Sequence, residues 1–293
     1  MKADLHVHTD ISDGFYDLKG TINIAKSNGV THLAITNHDT IKGLEEAIDE
    51  GDRQGITIIP GIEISACDMQ SGKKVHILGY SFDLVGTNIK KLCDPILERR
   101  KANSQWQVES LIREGFNIDI EKIHQRSKKS GVIYKQHIMA ELIHENYNDE
   151  KYKSLYKQIF KGGGICARDI KYVDMIESVK AIKADNGLAI IAHPGQLDSY
   201  NFIEELVVAG LDGIELNHES HSPEDHLKII EYSNKYDLIL TGGSDFHGRY
   251  GTTINIGDVE CPSEYNYIFK KTPKFFKTYK CVDNCIKKCI IIA

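Results

Sequence analysis

Long apolar runs are missing from this chain of 293 residues, and none approaches the roughly 18 residues that a membrane-spanning helix needs. The start, Met1 to Asp4, also lacks the apolar core of a secretory signal, so we expect a cytoplasmic protein without a membrane partner. The seven cysteines include no Cys-x-x-Cys pair, which favours reduced thiols over a disulfide scaffold. The net charge of −6 argues against a surface that coats nucleic acid, although a local basic pocket is compatible with it. No obligate protein partner is evident.

Seven short apolar runs alternate with helical patterns along most of the chain. This alternation predicts a parallel sheet with helices packed on it, and seven strands can close into a barrel without an exposed edge. We therefore predict an α/β fold of the TIM-barrel kind. The expected strands are 3–8, 32–37, 57–60, 74–80, 188–193, 213–217 and 238–243. The expected helices between them are 21–28, 43–54, 174–186, 201–209 and 223–235.

The segment 88–172 interrupts this alternation. It is polar, has helical patterns and contains no convincing buried strand. We interpret it as a helical insertion, called the insertion below, between barrel segments 1–87 and 173–260. Its own small core is predicted to contain Ile96, Trp106, Leu111, Ile112, Ile138, Leu142 and Ile143.

The last segment, 261–293, is a basic tail with seven lysines between Lys270 and Lys288. Its cysteines, Cys281, Cys285 and Cys289, recur at every fourth position. Thiolate zinc sites usually use closer pairs and need a fourth ligand, so a solvated basic helix is the favoured interpretation.

Metal-ligating residue types occur at or near the predicted strand ends. His6 and His8 alternate on the first strand, as Asp245 and His247 do after the last, and residues i and i+2 of a strand share a face. The active sites of (β/α) barrels lie at the carboxyl ends of their strands. The candidate ligands are His6, His8, Asp13, His38, Glu63, His76, His193, Asp245 and His247.

Each of these residues alone has an ordinary structural explanation. A single strand histidine is more often structural than a ligand, and Asp13 could be a turn residue beside Gly14. Together they favour metal, because burying so many imidazoles and carboxylates without it would leave unpaired polar groups and charges. Imidazole and carboxylate without thiolate suit Mn²⁺, Fe²⁺ or Zn²⁺. Nine ligands exceed the needs of one ion, so two or three divalent ions are predicted, with Glu63 able to bridge a pair.

These motifs resemble the PHP family, named for polymerase and histidinol phosphatase. The resemblance runs from Ala3 to about Gly257 and rests on four motifs: 4–14, 35–40, 192–195 and 243–248. It implies a distorted seven-stranded (β/α) barrel with a trinuclear site. By family pattern, the first metal is held by His6, His8, Glu63 and Asp245, the second by Glu63, His76 and His193, and the third by Asp13, His38 and His247.

The chain looks most similar to the stand-alone branch of that family, which carries a helical insertion. This resemblance implies a phosphoesterase acting on nucleotide 3′,5′-bisphosphates or on short 5′-phosphorylated RNA. It also implies that the insertion binds phosphate, through Arg168, Lys135 and His137. Lys135 stands where the branch usually has arginine, which keeps the charge but loses bidentate geometry. Asn37 replaces the usual aspartate before His38 and removes a charge near the third metal.

The expected function is therefore hydrolysis of a phosphorylated small molecule or short oligonucleotide by a metal-bridging hydroxide, with Glu63 holding the metals. His218, on the rim after the sixth strand, could bind the substrate and donate a proton to the leaving alcohol, or it could belong to a surface polar cluster. Three alternatives stay open. They are a histidinol-phosphatase-like enzyme, an amide or lactone hydrolase of the amidohydrolase type, and a non-enzymatic relic, which should have lost ligands.

Overall fold

The structure, a computed structural model, describes residues 1–263. The predicted basic helix with Cys281, Cys285 and Cys289 lies outside the described residues. Within them, eight strands form one sheet: β1 (Ala3–Asp4), β2 (His32–Ile35), β3 (Thr57–Cys67), β4 (Lys74–Tyr80), β5 (Val173–Asp174), β6 (Leu188–Ile191), β7 (Gly213–Asn217) and β8 (Ile239–Gly242). Seven follow the hydrogen-bonded order β1-β2-β3-β4-β6-β7-β8, and the short β5 pairs with β3.

The sheet curves into a nearly closed barrel. Its two ends meet just beyond β1 and β8, where Val7 and Phe246 form a parallel bridge and the Leu5 N–H donates to the Gly242 carbonyl at 3.2 Å. The predicted seven-stranded α/β barrel is thereby confirmed.

Ten α-helices lie in the described part of the chain: α1 (Leu18–Ser27), α2 (Leu44–Gln54), α3 (Thr87–Arg113), α4 (Ile120–Arg126), α5 (Lys135–Leu142), α6 (Glu150–Phe160), α7 (Met175–Ala184), α8 (Pro194–Leu197), α9 (Ile203–Ala209) and α10 (Pro223–Tyr236). The first begins earlier than predicted because the Asp17 carboxylate accepts a hydrogen bond from the Gly20 N–H at 2.7 Å and caps it. None of these helices is long and apolar enough to cross a bilayer.

The all-parallel expectation is wrong for β4, which pairs antiparallel with both β3 and β6. The third strand is also longer than predicted: alternation continues through Ile62, Ile64 and Ala66, all buried, to Cys67. A tight turn at Asp68 then reverses the chain into a hairpin, since the Asp68 carboxylate accepts from the Ser71 N–H at 2.8 Å. Because β4 is reversed, it begins at the barrel end where the parallel strands terminate.

A small apolar plug fills the inside of the barrel. It includes Leu5, Leu78, Tyr80 and Ile190, all at most 1% exposed. The Tyr80 hydroxyl donates to the Leu5 carbonyl at 2.8 Å and so ties β4 across the plug to the chain after β1. His76 alternates with Leu78 on β4 and therefore sits one layer above the plug. Polar side chains above the plug are thus closed off from solvent below.

Helices α3 to α6 lie between β4 and β5 and carry a separate hydrophobic cluster. Leu111 and Ile138 are fully buried in it, as predicted, whereas Ile112 is 41% exposed. Ile112 directly follows Leu111 on α3, so the two side chains point about 100° apart around the helix.

Candidate metal centre

Glu63 lies inside β3 rather than after a strand, and its buried carboxylate faces two sets of histidines. Its Oε1 lies 2.7 Å from His76 Nδ1 and 2.9 Å from His193 Nε2. Its Oε2 lies 3.1–3.4 Å from ring nitrogens of His6, His8 and His38. Burial opposes ionisation of Glu63, but the surrounding imidazoles, led by that of His38, hold its pKa well below the ordinary value. The carboxylate is therefore placed to serve two metal positions at once.

Two further carboxylates, those of Asp245 and Asp13, join these residues. Together, the nine candidate ligands are called the ring below. Asp245 Oδ1 lies 3.3 Å from His6 Nε2 and 3.1 Å from His8 Nε2. Asp13 Oδ1 lies 3.4 Å from His247 Nε2, and its Oδ2 lies 3.7 Å from His38 Nε2. Three groups can each place their ligand atoms within 4.8 Å of one another: His6, His8, Glu63 and Asp245; His8, Asp13, His38 and His247; and His38, Glu63 and His76. His193 reaches the ring through Glu63.

Strand alternation does not place Asp245 and His247, contrary to our expectation. The last strand, β8, ends at Gly242, and Asp245 has a left-handed backbone with φ 51°. Instead, this segment is held by a contact with the residues that follow β1 and by a contact within the segment. The His8 N–H donates to the Phe246 carbonyl at 3.0 Å, and His247 Nδ1 lies 2.7 Å from the Asp245 carbonyl oxygen.

Several buried side-chain atoms of the candidate ligands have no hydrogen-bond partner in the described residues. They are His6 Nε2, both ring nitrogens of His8, Asp13 Oδ1, His38 Nδ1, His193 Nδ1 and Asp245 Oδ1. An unsatisfied buried polar atom costs about 1–3 kcal/mol, more when it is charged. Most of these atoms converge on the three groups, and imidazole with carboxylate is a donor set for divalent transition metals. The residues therefore fit a metal centre.

Two buried acidic residues behind the ring were not among the candidate ligands predicted from the sequence. Asp4, fully buried, accepts hydrogen bonds from the N–H of His6 at 3.3 Å, of Ser244 at 3.0 Å and of Gly257 at 2.8 Å. Burial raises the pKa of Asp4 to about 6 against these bonds. Glu215, on β7, also contacts His6. Both are acidic residues beside ligand motifs, which is the signal that could have revealed them.

Asn37 keeps a structural role despite its lost charge. Its side-chain oxygen accepts from the Thr9 N–H at 2.8 Å and from the Ser12 hydroxyl at 2.9 Å. It thereby fixes the loop that leads from His8 to Asp13.

The predicted phosphate-binding residues lie in three different environments. Lys135 begins α5 and is partly buried, with its ammonium 5.7 Å from the centre of the Phe160 ring. His137 is fully buried, and its Nε2 has no hydrogen-bond partner in the described chain. Arg168 is exposed and stacks on Trp106, with its guanidinium carbon 3.9 Å from the ring centre.

Several contacts join the insertion to the ring, among them a hydrogen bond of 3.4 Å from the Tyr134 hydroxyl to the His38 carbonyl. The Gln136 amide donates to Asp13 Oδ2 at 2.9 Å, so α5 touches a candidate ligand directly. Arg100, on α3, donates to Asp39 Oδ2 at 2.7 Å, and Asp39 directly follows His38. Neither Gln136 nor Arg100 was singled out from the sequence, because neither belongs to a metal-ligand motif.

His218 is buried beside the ring rather than part of a surface cluster. Its Nε2 lies 3.4 Å from Asp245 Oδ2, and its Nδ1 lies 2.8 Å from the Ser220 hydroxyl. Burial opposes protonation of His218, but Asp245 and Glu215 outweigh it and raise its pKa. A protonated imidazole at this edge can donate a proton.

Comparison with known proteins identifies the family. The family model of the PHP domain matches residues 4–190, more than half of the chain. The chain belongs to the PHP family.

Two relatives of this PHP protein are named as hydrolases of phosphate esters. It is 45% identical to phosphoribosyl 1,2-cyclic phosphate 1,2-diphosphodiesterase of Eggerthella lenta, over 88% of this chain and 98% of the relative. It is 27% identical to 3′,5′-nucleoside bisphosphate phosphatase of Chromobacterium violaceum, over 88% of this chain and 91% of the relative. Its fold is similar to that of a candidate metal-dependent phosphoesterase from Bifidobacterium adolescentis, with a TM-score of 0.81, 24% identity and coverage of 90% and 94% of the two chains.

PHP membership and these relatives make the chain a metal-dependent hydrolase of phosphoric esters. The family and reaction class predicted from the sequence are thereby confirmed.

Proposed function

We propose that this PHP enzyme hydrolyses a cyclic phosphodiester carried by a phosphorylated ribose. The observation that carries the proposal is the 45% identity, over nearly the full length of both chains, to the Eggerthella lenta enzyme named for such a substrate. The nucleotide 3′,5′-bisphosphate expected from the sequence corresponds to the name of a relative only 27% identical. Such a substrate carries two phosphate groups, the cyclic one and a separate one on the same ribose. The enzyme therefore needs one site for the reacting phosphate and another for the distal one.

The reacting phosphate is assigned to the metal ring. We propose two or three Mn²⁺, Fe²⁺ or Zn²⁺ ions. The first is held by His6, His8, Glu63 and Asp245, the second by Glu63, His76 and His193, and the third by Asp13, His38 and His247. When bound, such ions activate water as a nucleophile and neutralise phosphoryl oxygens. His218 lies next to Asp245, where its protonated ring can donate to the sugar oxygen that leaves phosphorus.

The distal phosphate is assigned to the insertion, through Lys135, His137 and Arg168. Of the three guanidinium nitrogens of Arg168, only Nε forms a hydrogen bond within the described residues, to Asn103 Oδ1 at 2.8 Å. Its two terminal nitrogens are therefore available for a bidentate bond to phosphate. The barrel, 1–87 and 173–260, would then perform the chemistry, and the insertion, 88–172, would select the substrate. Cytoplasmic location is part of this proposal.

A substrate panel tests the proposed function. The enzyme, reconstituted with Mn²⁺, should show its highest kcat/KM on phosphoribosyl 1,2-cyclic phosphate. The reaction is monitored by ³¹P NMR, which distinguishes opening of the cyclic phosphate from release of inorganic phosphate. The panel also contains a nucleoside 3′,5′-bisphosphate, a 5′-phosphorylated oligoribonucleotide, histidinol phosphate and a neutral lactone. A higher kcat/KM on any of the other substrates would overturn the assignment.

The ammonium of Lys135 should make substrate capture fall at alkaline pH. Burial, with help from nearby Lys74 and Lys161, lowers the pKa of Lys135 to about 8, which Asp169 only partly opposes. The charged form exists below that pH, so kcat/KM should decline as the pH rises through about 8. Lys135→Arg is the matched control, since arginine stays charged and should remove the decline. An identical decline in both enzymes would show that another group causes it.

A further inference from the structure

Glu215 is a fully buried carboxylate to which the proposed function gives no role. It lies on β7, and its Oε1 is 2.9 Å from His6 Nδ1. Its Oε2 accepts a hydrogen bond from the backbone N–H of His193 at 2.7 Å. One carboxylate therefore holds two candidate metal ligands that follow different strands, β1 and β6.

The first of these bonds determines which nitrogen of His6 can bind metal. An ionised carboxylate only accepts hydrogen bonds, so His6 Nδ1 must carry the proton. In the neutral ring that can bind a metal, the lone pair of His6 is then on Nε2, which is buried without a hydrogen-bond partner in the described residues and faces Glu63 Oε2 at 3.4 Å and Asp245 Oδ1 at 3.3 Å.

The second bond holds the backbone of His193 in an uncommon conformation. His193 has φ 24° and ψ 59°, in a region that residues with a side chain seldom adopt. Such a backbone persists only where its surroundings hold it. The bond to Glu215 is one such restraint, and in this conformation His193 Nε2 lies 2.9 Å from Glu63 Oε1.

We infer that Glu215 is a positioning residue that sets the tautomer of His6 and the backbone of His193, and so prepares the first and second metal positions together. The inference rests on the metal assignment of the proposed function. Carboxylates that orient ligating histidines typically change metal affinity about 10- to 100-fold when they are mutated. A loss of that size should appear at both positions when Glu215 is changed.

Glu215→Gln tests this inference with nearly unchanged volume. A glutamine has one acceptor oxygen and one NH₂ group, so it cannot accept from both His6 and His193. Metal competition titrations with Zn²⁺ should show about 10- to 100-fold weaker binding of the first two ions. In the zinc-loaded protein, ¹⁵N NMR of the His6 ring should show a protonated Nδ1 in the wild type and an altered Nδ1 signal in the variant.

Asp185→Asn is the matched control for a merely structural carboxylate. Asp185 is also buried and accepts from the N–H groups of Asn88 and Ile89 at 2.8–3.1 Å, but in the cap of α3. The Asp185→Asn variant should have a lower unfolding temperature, with zinc affinity and the His6 signal unchanged. If Glu215→Gln behaves in the same way, the inference is overturned.

Glu63→Gln separates that failure from failure of the metal assignment itself. If Glu63→Gln binds zinc as the wild type does, the proposed ring is wrong. If Glu63→Gln loses zinc while Glu215→Gln keeps it, the ring stands and only the role of Glu215 fails.

Discussion

Glu63→Gln should lower kcat/KM on the order of 10³-fold and empty two metal positions together. The two oxygens of Glu63 face different histidines, with Oε1 toward His76 and His193 and Oε2 toward the His6 side of the ring. A glutamine offers one oxygen and a neutral NH₂ group, so one position loses a ligand and both lose charge. Elemental analysis should find two to three metals per wild-type chain and at most one in the variant.

The control for this experiment is a preserved fold. Far-ultraviolet circular dichroism of Glu63→Gln should match that of the wild type, because the substitution conserves volume within β3. Full metal content with full activity in the variant would remove Glu63 from the bridging position. A wild-type protein with less than one equivalent after growth in Mn- or Fe-supplemented medium would contradict the polynuclear site as a whole.

Arg168→Ala should reduce kcat/KM on the order of 10²-fold for a substrate with a distal phosphate and leave metal content unchanged. The guanidinium lies over the Trp106 ring and is also held by Asn103, so its terminal nitrogens are pre-oriented for an anion. The loss should be smaller for p-nitrophenyl phosphate, which has no second phosphate to bind. Steady-state kinetics on both substrates measure the difference.

Arg168→Lys is the matched control, since it keeps the charge but loses the planar fork. We expect it to recover only part of the lost activity. Equal losses on both substrates would place Arg168 at the reacting phosphate instead. No loss on either substrate would make it a surface residue and leave the distal phosphate without this ligand.

The sequence predicted the barrel because apolar runs alternate with helical patterns regardless of strand direction. It could not predict the direction of β4. Hairpins and parallel crossovers differ in the connection between the strands, and the third strand was predicted to end at residue 60, which left residues 61–73 between it and the predicted strand 74–80. His76 still reaches the ring, because reversing β4 brings its beginning to the rim. The sequence therefore placed a candidate ligand at the ring despite a partly wrong topology.

The ring was more predictable than its support because ligands occur in short motifs. Asp4 and Glu215 were harder to assign: their partners, Ser244 and His6, are more than 200 positions away in the chain. Only the closed barrel brings these pairs together. The backbone of Asp245 was equally hidden, since a left-handed residue after a strand has the same sequence signature as an extended one.

The reversed strand also determines how the insertion is mounted. Because β4 descends, the chain leaves it at Tyr80, level with Leu188 at the start of β6 and away from the metals. Helix α3 runs back toward the metal-site end of the barrel. Asp185 accepts from the Asn88 N–H near its start, and Arg100 binds Asp39 at the rim, about 18 Å further along the helix at 1.5 Å per residue. The remaining turns, to Arg113, contribute Val108 and Leu111 to the insertion core. The insertion, for which we propose substrate selection, is thus carried by a long helix held along the barrel wall, so helix length rather than loop conformation sets its distance from the candidate metal centre.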